Sequence, residues 1–355
     1  MARIIWYVAA AIFIILSSTS RTQAQELTAG GSPPEAVMKA IATAQLRADD
    51  VMVGAFINDI HEIDARTHTY SIDVYIWFRW RDPSLNPVKT MEFMNRYPSS
   101  EHQFESLLDE PKQMPDGTFY GIVRQQGMFS SKFTLSKYPF DQQRLLILIE
   151  DNASSVASQR YVADVNPITM NPAILLPGYT IGSPRITISD NTYPTNFGDF
   201  SSANNETYSR ATIEVPVSRP LMTVSIKTFL PVLLIVLSCT LVLFVRPSLV
   251  EGRIGLAITA LLTLVALQLT ATANMPEVDY LMLIDKAYLA SYAFIIAILT
   301  RVVATSWVGW SDTDEAEMRT KDRRWALILL ISYVLILGIS AAATFEAEMT
   351  DIWRA

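Results

Sequence analysis

The chain has 355 residues, of which 50% are apolar and only 18% charged, with a net charge of −7 and a mean hydropathy of +0.24. That balance excludes a nucleic-acid binder and points away from an ordinary soluble domain toward a membrane protein. The one cysteine, Cys239, sits in an apolar run, and His61, His68 and His102 lack metal-ligand spacing, so neither an intrachain disulfide nor a metal site is expected.

In chain order, Arg3 precedes an apolar core from Ile4 to Leu16 and a polar, small-residue stretch ending at Ala24. This reads as a signal peptide over 1–24, with a retained anchor as the other reading. Segment 25–48 carries apolar residues at helical spacing from Pro34 to Arg47, which suggests a short leading helix. From 49 to 218 the pattern becomes strand-like. Tyr70–Trp80, Phe129–Leu135, Leu145–Ile149, Arg185–Ser189 and Arg210–Val217 alternate or are rich in β-branched and aromatic residues, and Asp116-Gly117 marks a hairpin turn. Short strands separated by Pro, Gly, Asn and Asp imply an all-β sandwich of immunoglobulin type.

Residues 219–355 behave differently. Thr228–Val245, Ile254–Pro276 and Trp325–Phe345 carry no charge, and Ile284–Trp307 carries charges only toward its ends. Each is near the ~20 residues that cross a bilayer, so four spanning helices are predicted at about 220–246, 251–274, 281–308 and 323–347. Arg246 and Arg253, then Arg319, Lys321, Arg323 and Arg324, fall in links on one side. Glu277, Asp279, Glu346, Glu348 and Asp351 fall on the other. Basic links inside put the sandwich outside the cell.

The second predicted helix holds the most telling pattern. Glu251, Gly255, Thr259, Leu262, Ala266, Leu269 and Ala273 share one face at steps of three or four. A carboxylate, small and polar positions and then leucines suit a water-filled path rather than lipid. Glu251 with Arg253 also suits a plain helix start at the membrane edge.

Three local patterns carry a resemblance. These are Tyr138-Pro139-Phe140-Asp141-Gln142-Gln143, then Pro216-Val217-Ser218-Arg219-Pro220 followed by Pro231, and Asn274-Met275-Pro276 followed by Tyr280 and Ile284-Asp285. In this order, ahead of and among four helices, they resemble the pentameric ligand-gated ion channels, the Cys-loop receptor family. Ser131 and Leu145 stand where animal members place disulfide cysteines, so the chain looks like the cysteine-free bacterial branch. One departure is Pro87-Val88-Lys89 in place of the family's Trp-x-Pro element before Phe93-Met94-Asn95.

The resemblance implies a homopentamer in a bacterial inner membrane, with the sandwich on the periplasmic side and the second helix of each subunit lining a central pore. Leu262 and Leu269 are then gate candidates and Glu251 a selectivity ring, which favours monovalent cations. Asp141 and Arg219, shaped by Pro139, Phe140 and Pro276 and joined by Asp64, would couple the two domains. At a subunit interface, Glu150 and Asp151 with Tyr193, Phe197, Phe200 and Tyr208 would form an anionic aromatic cup for an amine agonist, with Tyr75 on the opposite face. Protons acting on carboxylates or His68 are a second agonist class. The partners implied are self, a small agonist or protons, permeant ions and lipids, with no cofactor. Anion selectivity and a non-conducting membrane-anchored sensor stay open. An enzyme does not fit, since the sequence holds no nucleophile, metal or nucleotide motif.

Overall fold

The computed structural model describes residues 47, 49–98, 102–198, 205–273, 275–307 and 312–352, with side-chain surroundings for all of these but 312–314 and 345–352. The signal peptide, the leading helix, Phe200, Asn274 and the side chains of Glu346, Glu348 and Asp351 lie outside that description.

Among the described residues, eleven strands form the sandwich: β1 Asp50–Asp64, β2 Thr69–Trp80, β3 Met91–Phe93, β4 Gln103–Ser106, β5 Lys112–Gln113, β6 Phe119–Ser130, β7 Gln142–Asp151, β8 Arg160–Met170, β9 Thr180–Ile181, β10 Arg185–Thr192 and β11 Thr207–Ser218. One sheet runs β4-β6-β2-β1-β8 with β5 on β6; the other runs β10-β11-β7-β3 with β9 on β11. The β1–β8 pair is parallel and its neighbours are antiparallel.

Period-two alternation explains the packing. Tyr70, Ile72, Val74, Ile76, Phe78 and Trp80 of β2 point inward, as do Leu145, Ile147 and Ile149 of β7 and Ala211, Ile213, Val215 and Val217 of β11. Each fully buried large aliphatic contributes about 1.5–3 kcal/mol. The turn at Asp116-Gly117 joins β5 to β6. Gly117 takes φ +81°, which suits a residue without Cβ, and the Asp116 carboxylate accepts from Thr118.

The expected strand over Phe129–Leu135 ends early. Only Phe129 and Ser130 belong to β6. Beyond them Phe133 packs into the sandwich core, while Leu135, fully buried, joins the core of the helices. The apolar residues there serve two cores, not one strand.

Four long helices follow: α1 Leu221–Leu241, continued by one 3-10 turn at Val242–Phe244, α2 Val250–Thr272, α3 Leu283–Ser306 and α4 Asp312–Ile352. All four are long and apolar enough to cross a membrane. Helix α4 starts well before residue 323, so Arg319, Lys321, Arg323 and Arg324 stand on the helix itself rather than in a link. Polar pins tie the bundle: Ser291 with the Tyr333 hydroxyl at 2.9 Å, Tyr292 to Gln268 at 2.5 Å and Lys286 to Thr344 at 2.7 Å. Cys239 is a free, buried filler in α1. Leu327, Ile328, Ile331, Val334, Leu335 and Ile339 of α4 are exposed, an apolar surface suited to lipid.

Candidate functional site

Helix α2 is two-faced. Arg253, Ala257, Ala260 and Leu264 are buried against the other helices. The opposite face presents Glu251, Gly255, Thr259, Leu262, Ala266, Leu269 and Ala273, every one of them exposed. Leu262 and Leu269 are 64% and 66% exposed, so the subunit leaves two large leucines of this face uncovered. The Thr259 hydroxyl donates back to the Gly255 carbonyl at 2.8 Å, and Thr263 and Thr270 donate in the same way one turn back. With its proton spent inside the helix, each hydroxyl oxygen offers lone pairs outward.

Arg253 does not accompany Glu251. Its side chain is fully buried, its Nη2 donates to Asp322 of α4 at 2.7 Å, and its Nε donates to the Val242 carbonyl at 3.1 Å. Arg301 of α3 donates to the other Asp322 oxygen at 3.0 Å. The membrane-edge pair of Glu251 with Arg253 therefore gives way to a buried pair with α4. Sequence reasoning missed this triad, because Asp322 stands among Arg319, Lys321, Arg323 and Arg324 and its partners lie on other helices. Its register was a usable signal: Asp322, Ala326 and Tyr333 are all buried and share one helix face.

At the junction of sandwich and helices, the Arg219 Nε donates to Asp141 at 2.9 Å. The second Asp141 oxygen accepts from Gln143 at 2.8 Å. The Arg219 guanidinium lies over the rings of Tyr138 and Tyr179, at 5.1 and 4.7 Å. Burial raises the pKa of both phenols, against the pull of Arg219, so they stay neutral. Phe140 stacks on Phe229 of α1 at 5.8 Å. Pro139, buried, follows a cis Tyr138–Pro139 bond. The same loop is stitched to the start of α3. Leu135 N–H donates to the Tyr280 hydroxyl at 2.9 Å, and the N–H groups of Leu283 and Ile284 donate to the carbonyls of Ser136 and Tyr138. Pro276 is half-buried in the α2–α3 link.

Asp64 does not join this cluster. Its carboxylate accepts from the Arg66 N–H at 2.8 Å within its own turn. Burial pushes its pKa up, but hydrogen bonds from Thr67 and Arg66 win and hold it below the usual range. The neighbour that does reach across is His68. Its Nδ1 accepts from the Phe133 N–H at 3.1 Å, and its ring rests on Phe133 at 5.8 Å. Burial, then the nearby Lys132, lowers the His68 pKa, while Asp64 opposes them.

The expected ligand cup is less anionic than its residues suggest. Buried Glu150 accepts from Arg210 at 2.6 Å and from the Tyr193 hydroxyl at 2.9 Å, so its charge is already matched. Asp151, also buried, is taken up by Thr90, Gln159 and the Ala153 N–H. Tyr193 meets Phe197 and Tyr208 edge-on at 5.5 and 5.9 Å. The Tyr208 hydroxyl donates to Glu206, which, with burial, pushes its pKa to about 12. Sequence reasoning missed Arg210, whose position opposite Ser189 on β10 gives no hint of Glu150.

Tyr75 belongs to the other sheet. Its ring lies under the Arg124 guanidinium at 5.1 Å and near Phe56. Arg124 grips Asp73 with two bonds of 3.0 and 2.7 Å. Burial would raise the Asp73 carboxyl, yet the bonds from Arg124 and Asn58 hold it below the usual range.

No family model matches the chain. It is similar to the proton-gated ion channel of Gloeobacter violaceus, 20% identical over 245 residues, which cover 65% of this chain and 66% of that one. It is similar to the acetylcholine-gated chloride channel subunit acc-2 of Caenorhabditis elegans, 22% identical over 299 residues, 77% of this chain and 64% of the other. A third relative is the gamma-aminobutyric acid receptor subunit beta-4 of Gallus gallus, 20% identical over 287 residues, 75% and 57% of the two chains. In each case less than two thirds of the relative's length is spanned.

Proposed function

We propose that the chain is a member of the pentameric ligand-gated ion channel family, to which its relatives point, and that five copies close around a pore lined by α2. The observation that carries the reading is the two-faced α2: a buried side fixed by Arg253, Ala257, Ala260 and Leu264, and a bare side running from Glu251 to Ala273. Cyclic closure turns each bare position into a ring of five. Glu251 becomes an acidic ring at the inner mouth, and Thr259 a ring of oxygen lone pairs; both favour cations. Leu262 and Leu269 form apolar constrictions that close by losing their water. The burial of Arg253 supports cation preference, because that charge is turned away from the face that carries Glu251.

An extracellular ligand at subunit interfaces opens this pore, through the junction built on Asp141 and Arg219 in a bacterial inner membrane. An opening ligand must bind the open state more tightly than the closed one. The aromatic site at Tyr193, Phe197 and Tyr208, with Glu150 matched by Arg210, suits a ligand held by ring faces more than by net negative charge. Protons are a second candidate agonist. The supporting observation is the His68 Nδ1, which accepts a backbone bond only while the imidazole is neutral. One relative is a proton-gated channel by name.

The test is purified protein in planar bilayers under a salt gradient, challenged with amines, carboxylates and pH steps. Current with a reversal potential on the cation side is expected, and Glu251→Gln should move it toward zero by reducing the cation-to-anion permeability ratio several-fold. An unchanged ratio would remove Glu251 from the selectivity role, and absence of current under every condition would favour the non-conducting sensor.

A further inference from the structure

The inner end of the helix bundle holds an unbalanced charge cluster. Arg253 and Asp322 are both fully buried, and Arg301 is 21% exposed; both arginines converge on the one Asp322 carboxylate. The Arg301 Nη2 turns to the Met318 sulfur at 3.1 Å, and its guanidinium sits 5.9 Å from the Trp325 ring. Arg253 fills its remaining valences poorly: Nε reaches the Val242 carbonyl, while Nη1 is buried without a partner. Two guanidiniums thus depend on one acid.

Arg253 lies in the first turn of α2, two positions beyond Glu251 on the chain. What separates them is direction. Glu251 is exposed on the bare face and Arg253 is turned fully inward. A buried guanidinium stripped of its carboxylate is strongly unfavourable, because neither desolvation nor the second arginine is then offset. The arginine stem is long and flexible, and the nearest relief is the water at the helix start, where Glu251 stands.

We infer that Asp322, on the least buried of the four helices and away from the bare face of α2, is a positioning residue for ion selectivity: it holds Arg253 out of the pore mouth so that the Glu251 ring keeps its full charge. This rests on the pore reading given above. When Asp322 is neutralised, Arg253 swings to the mouth and five arginines offset five glutamates. The ring then ceases to concentrate cations.

The experiment compares reversal potentials of the full-length channel in bilayers under one fixed salt gradient. Asp322→Asn should bring the cation-to-anion permeability ratio close to unity. Asp322→Glu should restore it, and Arg253→Gln alone should leave it at the wild-type value. The decisive variant is the double Arg253→Gln, Asp322→Asn, which removes the stray arginine and should recover cation preference. If the single Asp322→Asn protein fails to assemble, the double variant still decides. Assembly with wild-type preference supports the inference, and failure to assemble or loss of preference overturns it. A conducting Asp322→Asn channel with unchanged reversal potential also overturns it, leaving Asp322 as a packing pin. A wild-type protein that never conducts, or conducts without cation preference, counts against the pore or Glu251 reading instead.

Discussion

Single residues carry the sharpest consequences. The lone pair on the His68 Nδ1 is occupied by the Phe133 N–H, so a proton there breaks a contact between the β1–β2 turn and the β6–β7 loop. Groups facing His68 are Lys132, which disfavours its charge, and Asp64, which favours it. The folded pKa lies below the ordinary 6.5 while the unfolded one does not, so the unfolded chain binds the proton first. The His68 contribution is therefore complete above 6.5 and is lost as pH falls through the depressed folded value. Thermal denaturation on either side of 6.5 should show the wild type losing stability on acidification and His68→Asn losing less; equal losses would clear His68 of the effect. Arg219 is a second case. It holds Asp141 and two ring faces at once, and removing one partner of such a buried pair typically costs about 3–5 kcal/mol. Arg219→Ala should unfold at clearly lower temperature in detergent and give little agonist current. Arg219→Lys, which keeps the charge without the planar stack, should fall between. Agonist currents of wild-type size in Arg219→Ala would remove it from coupling.

Elements differ in how legible they are. Period-two alternation made β2, β7, β10 and β11 readable, because one sheet face is buried and the other is not. The stretch from Ser131 to Leu135 was not readable as such. Phe133 and Leu135 are apolar for different reasons, one for each core, and hydrophobicity alone does not say which neighbour a residue will meet. The four helices announced themselves by length and composition, and the bare face of α2 by its spacing. Partners across space stayed hidden: Arg210 for Glu150, Asp322 for Arg253, the Tyr280 hydroxyl for the Leu135 N–H. Each joins segments far apart in the chain, and only the fold brings them together. The amine cup faltered for that reason. Glu150, Phe197 and Tyr208 do gather at Tyr193, but the acid arrives already paired.

The described residues form a sandwich and a helix bundle joined by a loop with a foot in each core. Leu135 sits among α-helical side chains while Phe133, two positions earlier, sits among strands. Within the bundle, α4 touches its neighbours along a narrow face. Only 11% of its apolar window is buried, against 44% for α3. Helix α4 is thus the least buried of the four, and it also supplies Asp322. A spanning helix adjusts its tilt and depth to the thickness of the surrounding hydrocarbon, at a fraction of a kcal/mol per Å of mismatch. Any such shift moves Asp322 relative to Arg253. The acyl-chain length of the host bilayer should then alter the permeability ratio in wild-type channels and leave it constant in Arg253→Gln, so that membrane thickness becomes a variable of ion choice.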